Sequence, residues 1–357
     1  MALDLNNTYL LLQALEQSYP PQTLFRDTFF PNTVTFPTKS VLMDYRKGSR
    51  VLAPFVSNGS GSVNVDRNGF HTKEYEPPMM APSRLITVQH IDKRGFGEAM
   101  FSTQTPEQRA LALRAQDMAE LQDMTTRTIE WMCAQLMIYG EFEVSGYAED
   151  GKNKIQDTVT YADWTQKATM SGNDKWDTVD SNGAYTADIY DQIKTVAQTV
   201  SRNSGRVPNI ALGSWKTCQY LLKNKSMLDI LMIPSRDNVA LMQFQPKITS
   251  PGVIRYGYLS ELNLDIYAYD GVYDDGSGTL QQYLPDGYFI VANSGRGSQL
   301  FGSITQLEDD GEFRTYEGKT VPKIWKDTGA DSLKIRVASK CVPKPEFIDD
   351  WYTIKAF

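Results

Sequence analysis

Histidine and cysteine are both scarce in this chain, with two and three copies among 357 residues. His71 and His90 stand far from each other and from every cysteine in sequence, so no ligand set has zinc-binding spacing. Cys133, Cys218 and Cys341 form no CxxC pair. An odd number of widely separated thiols builds no disulfide framework, and they read as reduced, buried residues of a protein made in the cytosol. Neither histidine has a Ser or Cys nucleophile beside it in a recognisable frame. The chain is therefore expected to be no enzyme, with no catalytic residue, no metal and no cofactor.

A basic excess is missing too. Lys and Arg number 36 against 43 Asp and Glu, a formal net charge of −7, which leaves no broad cationic face for tight or sequence-specific nucleic-acid binding. The negative balance serves solubility. Long apolar runs are absent, and none approaches the roughly 18 residues that cross a bilayer. Leu10-Leu11-Leu12 belongs to a short amphipathic helix, about Thr8 to Tyr19, stopped by Pro20-Pro21; it lacks the basic flank of a signal peptide. Phosphate loops are missing as well. Gly295-Arg296-Gly297 starts like a dinucleotide loop, but Leu300 stands where the last glycine belongs, which leaves a turn after a strand. Asp274-Asp275-Gly276 and Asp309-Asp310-Gly311-Glu312 lack calcium-loop spacing and read as acidic hairpin turns. There is no internal repeat.

What the chain does have is one very long helix. Thr105 is a good N-cap, Pro106 follows where its missing N–H costs nothing, and Gln108 completes a capping box. No further Gly or Pro occurs until Gly140, which supplies a left-handed stop. Pro106 to Tyr139 is 34 residues, roughly 50 Å of helix. Leu111, Ala115, Met118, Leu121, Thr125, Ile129, Met132, Leu136 and Tyr139 recur at three- and four-residue steps as one apolar face. The first half is charged, from Glu107 through Arg114 and Asp123 to Glu130, whereas Trp131–Tyr139 is apolar nearly all round. The C-terminal end, with Trp131, Met132 and Leu136, is expected in a core and the N-terminal end along a surface or a neighbour. A coiled coil fits less well, because the stripe keeps no strict seven-residue repeat.

About a hundred residues precede this helix without the look of a compact domain. Leu24–Phe36 mixes aromatics with Pro31 and reads as an arm able to lie extended on something else; Ser40–Asp44 reads as a short strand. Asn58–Ser62 opens a glycine-rich stretch, and Asn68-Gly69 is a strong hairpin turn, with Phe70–Glu76 as its returning strand. Leu85–His90 reads as another strand. After the helix, Glu141–Tyr147 and Ile155–Tyr161 form a hairpin, and Ser171–Ala184 is a polar loop. From Thr186 the pattern alternates: a helix on Ile189, Ile193, Val196 and Val200 to Gly205, a buried strand Asn209–Leu212, a helix Trp215–Leu222, then strands Leu262–Tyr269 and Tyr288–Ala292. Leu333–Val337 alternates as a strand with one wet face.

In that order the pieces resemble the major capsid protein of tailed phages, of the Hong Kong 97-type fold, and within it the lambda-type major capsid protein E family. The resemblance covers nearly the whole chain. It rests on Leu24–Phe30, on Ser57–Pro77 with Glu74-Tyr75-Glu76-Pro77, on Gly213-Ser214-Trp215, on Tyr283–Gly287, on Ile324-Trp325 and on Pro343–Phe347. None of these is a chemical motif; their order and spacing carry the likeness.

The resemblance implies an α+β fold divided into an N-terminal arm (1–55), an extended loop (56–100), a peripheral domain with the spine helix (101–185 and 296–341) and an axial domain (186–295 and 342–357). It implies self-assembly as hexamers and pentamers into an icosahedral virion shell around double-stranded DNA, in the cytoplasm of a host bacterium. A separate scaffolding protein, a portal protein and a decoration protein are the implied partners, and no membrane is involved. Contacts between subunits or with decoration are expected at Phe29, Phe30, Asn68, Gly69, Phe70, Lys73, Tyr75 and Arg114. Some relatives of the broader fold cross-link a loop lysine to a neighbour's asparagine, which needs a desolvated lysine and a carboxylate to take its proton. Glu74 adjoins Lys73, but strand alternation puts it on the opposite face, so a non-covalent shell is expected. Two alternatives stay open: an encapsulin-type compartment shell of the same broad fold, and, from another class, a two-domain α/β enzyme.

Overall fold

Thr105 opens the long helix as its chemistry dictates. In the computed structural model the helix runs Pro106–Tyr139. The Thr105 hydroxyl accepts a hydrogen bond from the Gln108 N–H, and the Gln108 side chain accepts one from the Thr105 N–H. Gly140 ends the helix in the left-handed conformation at φ 78°. The structure describes residues 21–38, 40–45, 52, 71–93, 105–147, 154–161, 164–231, 242–276, 278–308, 311–327, 329 and 331–357.

Burial rises along the helix as its composition requires. Met132, Cys133, Ala134, Leu136, Met137 and Ile138 are all buried in the largest core, while Trp131 is half-buried, edge-on to Phe142. The covered stripe starts later than the sequence pattern: Leu111 and Ala115 face outward, and Tyr139 is exposed at the other end. Among the described residues the first half packs on a small cluster of Ile86, Leu121, Ile335 and Val337, with Ile91, Leu113, Met118 and Leu333 partly buried around it.

Two sheets organise the rest. A seven-stranded mixed sheet has the order Met242–Ser250, Val253–Leu259, Leu264–Tyr269, Ile210–Ser214, Tyr288–Ala292, Trp351–Lys355, Lys167–Thr169. Its core holds one face of helix Ile189–Ser204, with Ile189, Ile193 and Val196 buried, and Cys218 and Leu221 of helix Trp215–Lys223. Asp188 and Ser214 cap these two helices through their side chains. The loop at 171–184 is largely polar, but Trp176 drops from it into this core and its indole N–H donates to Gln192 at 2.7 Å.

The second sheet is built on the 14-residue strand Ser332–Pro345. Its first part pairs with Val321–Asp327 on one side and Ser83–Thr87 on the other; its last part pairs with Gly297–Gly302, which pairs with Asn32–Phe36. The long helix lies along this strand. Among the described residues four two-stranded ribbons stand outside both sheets: Glu141–Tyr147 with Lys154–Thr160, Val41–Tyr45 with His71–Tyr75, Val272–Asp274 with Leu280–Gln282, and Ile304–Leu307 with Phe313–Tyr316.

Two local expectations are corrected. The segment from Leu24 is not an extended arm: Leu24–Phe29 is a helix, because Phe25 and Phe29 at four-residue spacing form one apolar side, and Phe25, Phe29 and Phe30 are buried in this chain's own core. The strand near Leu85 ends at Thr87. There Thr87 and His90 form a capping box, and Val88–Asp92 becomes a short helix.

Candidate assembly interface

Three side chains, Glu130, Tyr75 and Arg84, root the outlying segments on the two sheets and the long helix. The N-terminal helix is fastened by Glu130. This carboxylate is fully buried, and it accepts hydrogen bonds from the backbone N–H of Phe25 and of Arg26, both at 2.8 Å, and from the Tyr269 hydroxyl at 3.0 Å. One side chain thus joins the start of the N-terminal helix, the long helix and the seven-stranded sheet. The carboxylate also complements the positive end of the short helix. Burial outweighs these donors and pushes the Glu130 pKa up to about 7; the same burial, with the Glu130 charge beside it, pushes the Tyr269 phenol up. Sequence reading missed Glu130. It lies in a charged stretch of helix, and its partners come from residues a hundred positions away.

Tyr75 roots the ribbon Val41–Tyr45/His71–Tyr75. Its ring stacks on Tyr161 at 5.4 Å and its hydroxyl donates to the Thr160 carbonyl at 2.8 Å. Tyr161 in turn donates to the Pro343 carbonyl, so the root reaches the long strand. Val41 is half-buried beside the same core, while Glu74, next to Tyr75, faces solvent and accepts from the Ser40 hydroxyl.

Arg84 clamps the strand Ser83–Thr87 to the charged half of the long helix. Its guanidinium contacts Asp117 at 2.7 Å and Glu120 at 2.5 Å. Asp117 is buried beneath it. Burial works against the Glu120 carboxylate, but hydrogen bonds from Gln116 and Arg84 outweigh it and hold its pKa below the usual range.

The eight expected contact residues are not brought together. Phe29 and Phe30 point into this chain's own core, where Phe30 lies against Gly297; the expectation that they touch a neighbour is corrected by that burial. Tyr75 is also buried, as an internal anchor. Arg114 is half-exposed on the charged half of the long helix. Lys73 lies in the ribbon strand, paired with Met43. Asn68, Gly69 and Phe70 lie outside the described residues, as do the helix expected at 8–19 and the turn residues Asp309 and Asp310.

Residues that carried hints of chemistry have local roles. His90 accepts from the Thr87 N–H at 3.4 Å. Gly295–Gly297 is a turn between strands, where Arg296 pairs with Asp350 and stacks on Phe347. The Gly276 N–H donates to Asp274 at 2.8 Å, closing a hairpin turn. Cys133, Cys218 and Cys341 are free thiols, and burial pushes all three pKa values up, away from reactivity. Among the described residues no group of side chains has metal-binding geometry, and no helix is long and apolar enough to cross a membrane.

A long helix lying along a long strand, a separate mixed sheet and a rooted ribbon together define the Hong Kong 97-type fold of phage capsid proteins. The fold is shared with a prophage protein of Escherichia coli CFT073 proposed to be a capsid protein, at a TM-score of 0.63 with 19% identity and full coverage of both chains. A phage-related protein from Bordetella bronchiseptica RB50 aligns at 0.50 over 98% of this chain and 96% of its own, with 10% identity. The model of the phage major capsid protein E family matches residues 7–356, and the chain belongs to that family. Similar relatives include the major capsid proteins of Enterobacteria phage P21, 23% identical, and of Escherichia phage lambda, 24% identical, each matched over 92% of both chains. The chain is a major capsid protein of a phage head and its role is structural.

Proposed function

We propose that this chain tiles an icosahedral head as hexamers and pentamers around double-stranded DNA, in the cytoplasm of the host. The axial part is the unit around the seven-stranded sheet, about 186–295 with 342–357. The peripheral part is the unit around the long helix, about 101–185 with 296–341, and residues 56–100 form the loop that reaches a neighbour. Scaffolding, portal and decoration proteins act as separate partners, and DNA is enclosed without sequence recognition.

One observation carries this reading. The ribbon Val41–Tyr45/His71–Tyr75 forms a two-stranded sheet of its own, rooted at Tyr75 and Val41. An isolated two-stranded hairpin is marginally stable in water, and an ordered one needs a partner surface. Within a shell the neighbouring subunit is that surface.

The test is electron microscopy of the chain expressed with its scaffolding protein, beside a variant with Asn68-Gly69 replaced by Val-Val. Shells from the parent and a folded, unassembled variant are expected, because β-branched residues resist the positive φ of a tight hairpin turn. A strictly monomeric parent at every concentration refutes the proposal, and normal assembly of the variant removes the hairpin from the interface.

A further inference from the structure

The strand Ser332–Pro345 pairs Trp325 with Lys334 and Lys323 with Arg336 on one side, and Lys334 with Leu85 on the other. Strand alternation puts Lys323, Trp325, Lys334, Arg336 and Leu85 on the same face, while Ile335 points the other way into the cluster under the long helix. That shared face therefore turns away from the helix. Lys334 and Leu85 are exposed; Lys323, Trp325 and Arg336 are half-exposed.

Its composition is unusual for this molecule. Three cations surround one indole: Lys323 at 5.3 Å, Lys334 at 5.4 Å and Arg336 at 5.5 Å from the Trp325 ring centre. Among the described residues none of the three forms an ion pair. Lys323 donates to the Leu307 carbonyl and Arg336 to Gln306 at 3.4 Å, and the Arg336 Nε–H is buried with no acceptor. Glu308 is close enough to feel Lys323, and Asp327 on the same face closes its own turn by accepting from the Gly329 N–H. Three like charges crowded on an aromatic ring repel one another. The arrangement gains when a carboxylate arrives among them and an apolar group covers Trp325 and Leu85.

We propose that this face is a docking site for a carboxylate-bearing segment of a second copy of this chain, an inference that rests on the assembly proposed above. Charge complementarity selects the occupant. The chain carries 43 acidic against 36 basic side chains, so a second copy brings carboxylates in excess of its own cations. The contact is heterologous, a basic face on one copy meeting an acidic segment of the next, which is the geometry that propagates rings and shells.

The experiment compares the full chain with Lys334→Glu, Lys334→Gln and Trp325→Ala. Lys334 is exposed, so unchanged melting of its variants separates assembly from folding. The threshold concentration for assembly, read by light scattering at low and high salt, is expected to rise about tenfold or more in Lys334→Glu and less in Lys334→Gln, with the difference shrinking as salt rises. Assembled mixtures of light and nitrogen-15-labelled chains, treated with a carbodiimide that condenses amines with carboxylates, are expected to yield peptides joining Lys323 or Lys334 of one copy to an Asp or Glu of another. Wild-type thresholds in Lys334→Glu, or no link between copies at either lysine while the parent assembles, overturn this inference and leave the capsid assignment intact. Loss of DNA binding in Lys334→Glu, with assembly unchanged, overturns it in favour of nucleic acid. A parent chain that never associates overturns both.

Discussion

Replacing Glu130 by Gln separates two opposing effects at the root of the N-terminal helix. Gln keeps one oxygen to accept from the Phe25 N–H and the Tyr269 hydroxyl, but it places an amide NH2 against the Arg26 N–H, a donor facing a donor. Leaving one buried donor unsatisfied costs about 1–3 kcal/mol. Against this, burial raises the native Glu130 pKa from 4.5 to about 7. A carboxyl raised on folding binds more protons in the native state between those two values. Its neutral form is tolerated fully below the unfolded pKa, stability falls as pH climbs through the window, and the penalty is constant above about 7. From pH 5 to pH 8 that loss is about 2–3 kcal/mol in the parent and zero in the variant. Glu130→Gln is therefore expected to destabilise clearly at pH 5 and to have its deficit shrink by about 2–3 kcal/mol at pH 8. Urea titrations of the unassembled subunit at both pH values measure this, and amide exchange at Phe25 and Arg26 reports it locally. An identical deficit at both pH values, or a larger one at pH 8, shows that the three donors outweigh burial and refutes the reasoning.

Leu136→Ala is expected to cost about 2–5 kcal/mol of subunit stability through a cavity in the main core, whereas Arg114→Ala stays within about 0.5 kcal/mol; equal small effects in calorimetry reject the burial gradient along the long helix. Gly297→Ala places a Cβ against the Phe30 ring and the Phe29 carbonyl and is expected to cost about 1–3 kcal/mol by overpacking, read as a lowered urea midpoint; an unchanged midpoint means that the Phe29-Phe30 segment is free to move. Mature particles boiled in detergent are expected to release single chains near 40.3 kDa, as a shell held without covalent links would; a ladder lost in Lys73→Ala puts covalent chemistry back into the shell.

The long helix was legible to the residue because every signal that bounds it is local: Thr105, Pro106 and Gln108 at one end, Gly140 at the other. The same holds for the helix on Ile189, Ile193, Val196 and Val200 with its left-handed capping glycine at 205, and for the hairpin after Gly140. The N-terminal helix was lost to the proximity of Pro31, although Phe25 and Phe29 carried its four-residue spacing. Lys167–Thr169 is too short to show a period, and it becomes a strand only because Trp351–Lys355 offers an edge. Glu130 left no signal at all. A buried carboxylate looks like a surface one until the backbone N–H groups that satisfy it are in view, and those come from the other end of the fold. Of the expected contact set, Phe29, Phe30 and Tyr75 proved to be internal anchors. Aromatic residues in a segment without an evident core suggest a partner equally well whether that partner is another chain or the rest of the same one.

The strand Ser332–Pro345 enters three buried clusters: one under the charged half of the long helix, one around its apolar half, and between them a small one where Ala338 meets Ile304 and Val321. At about 3.3 Å per residue its 14 residues span about 46 Å, close to the length of the helix beside it. The pair works as a girder with two chords. A push at the Ser83–Thr87 end has no soft joint in which to dissipate, so it reaches Gly297–Gly302 and the N-terminal helix as a tilt of the whole beam. Compliance then belongs to what hangs from the girder, the ribbon Val41–Tyr45/His71–Tyr75 above all.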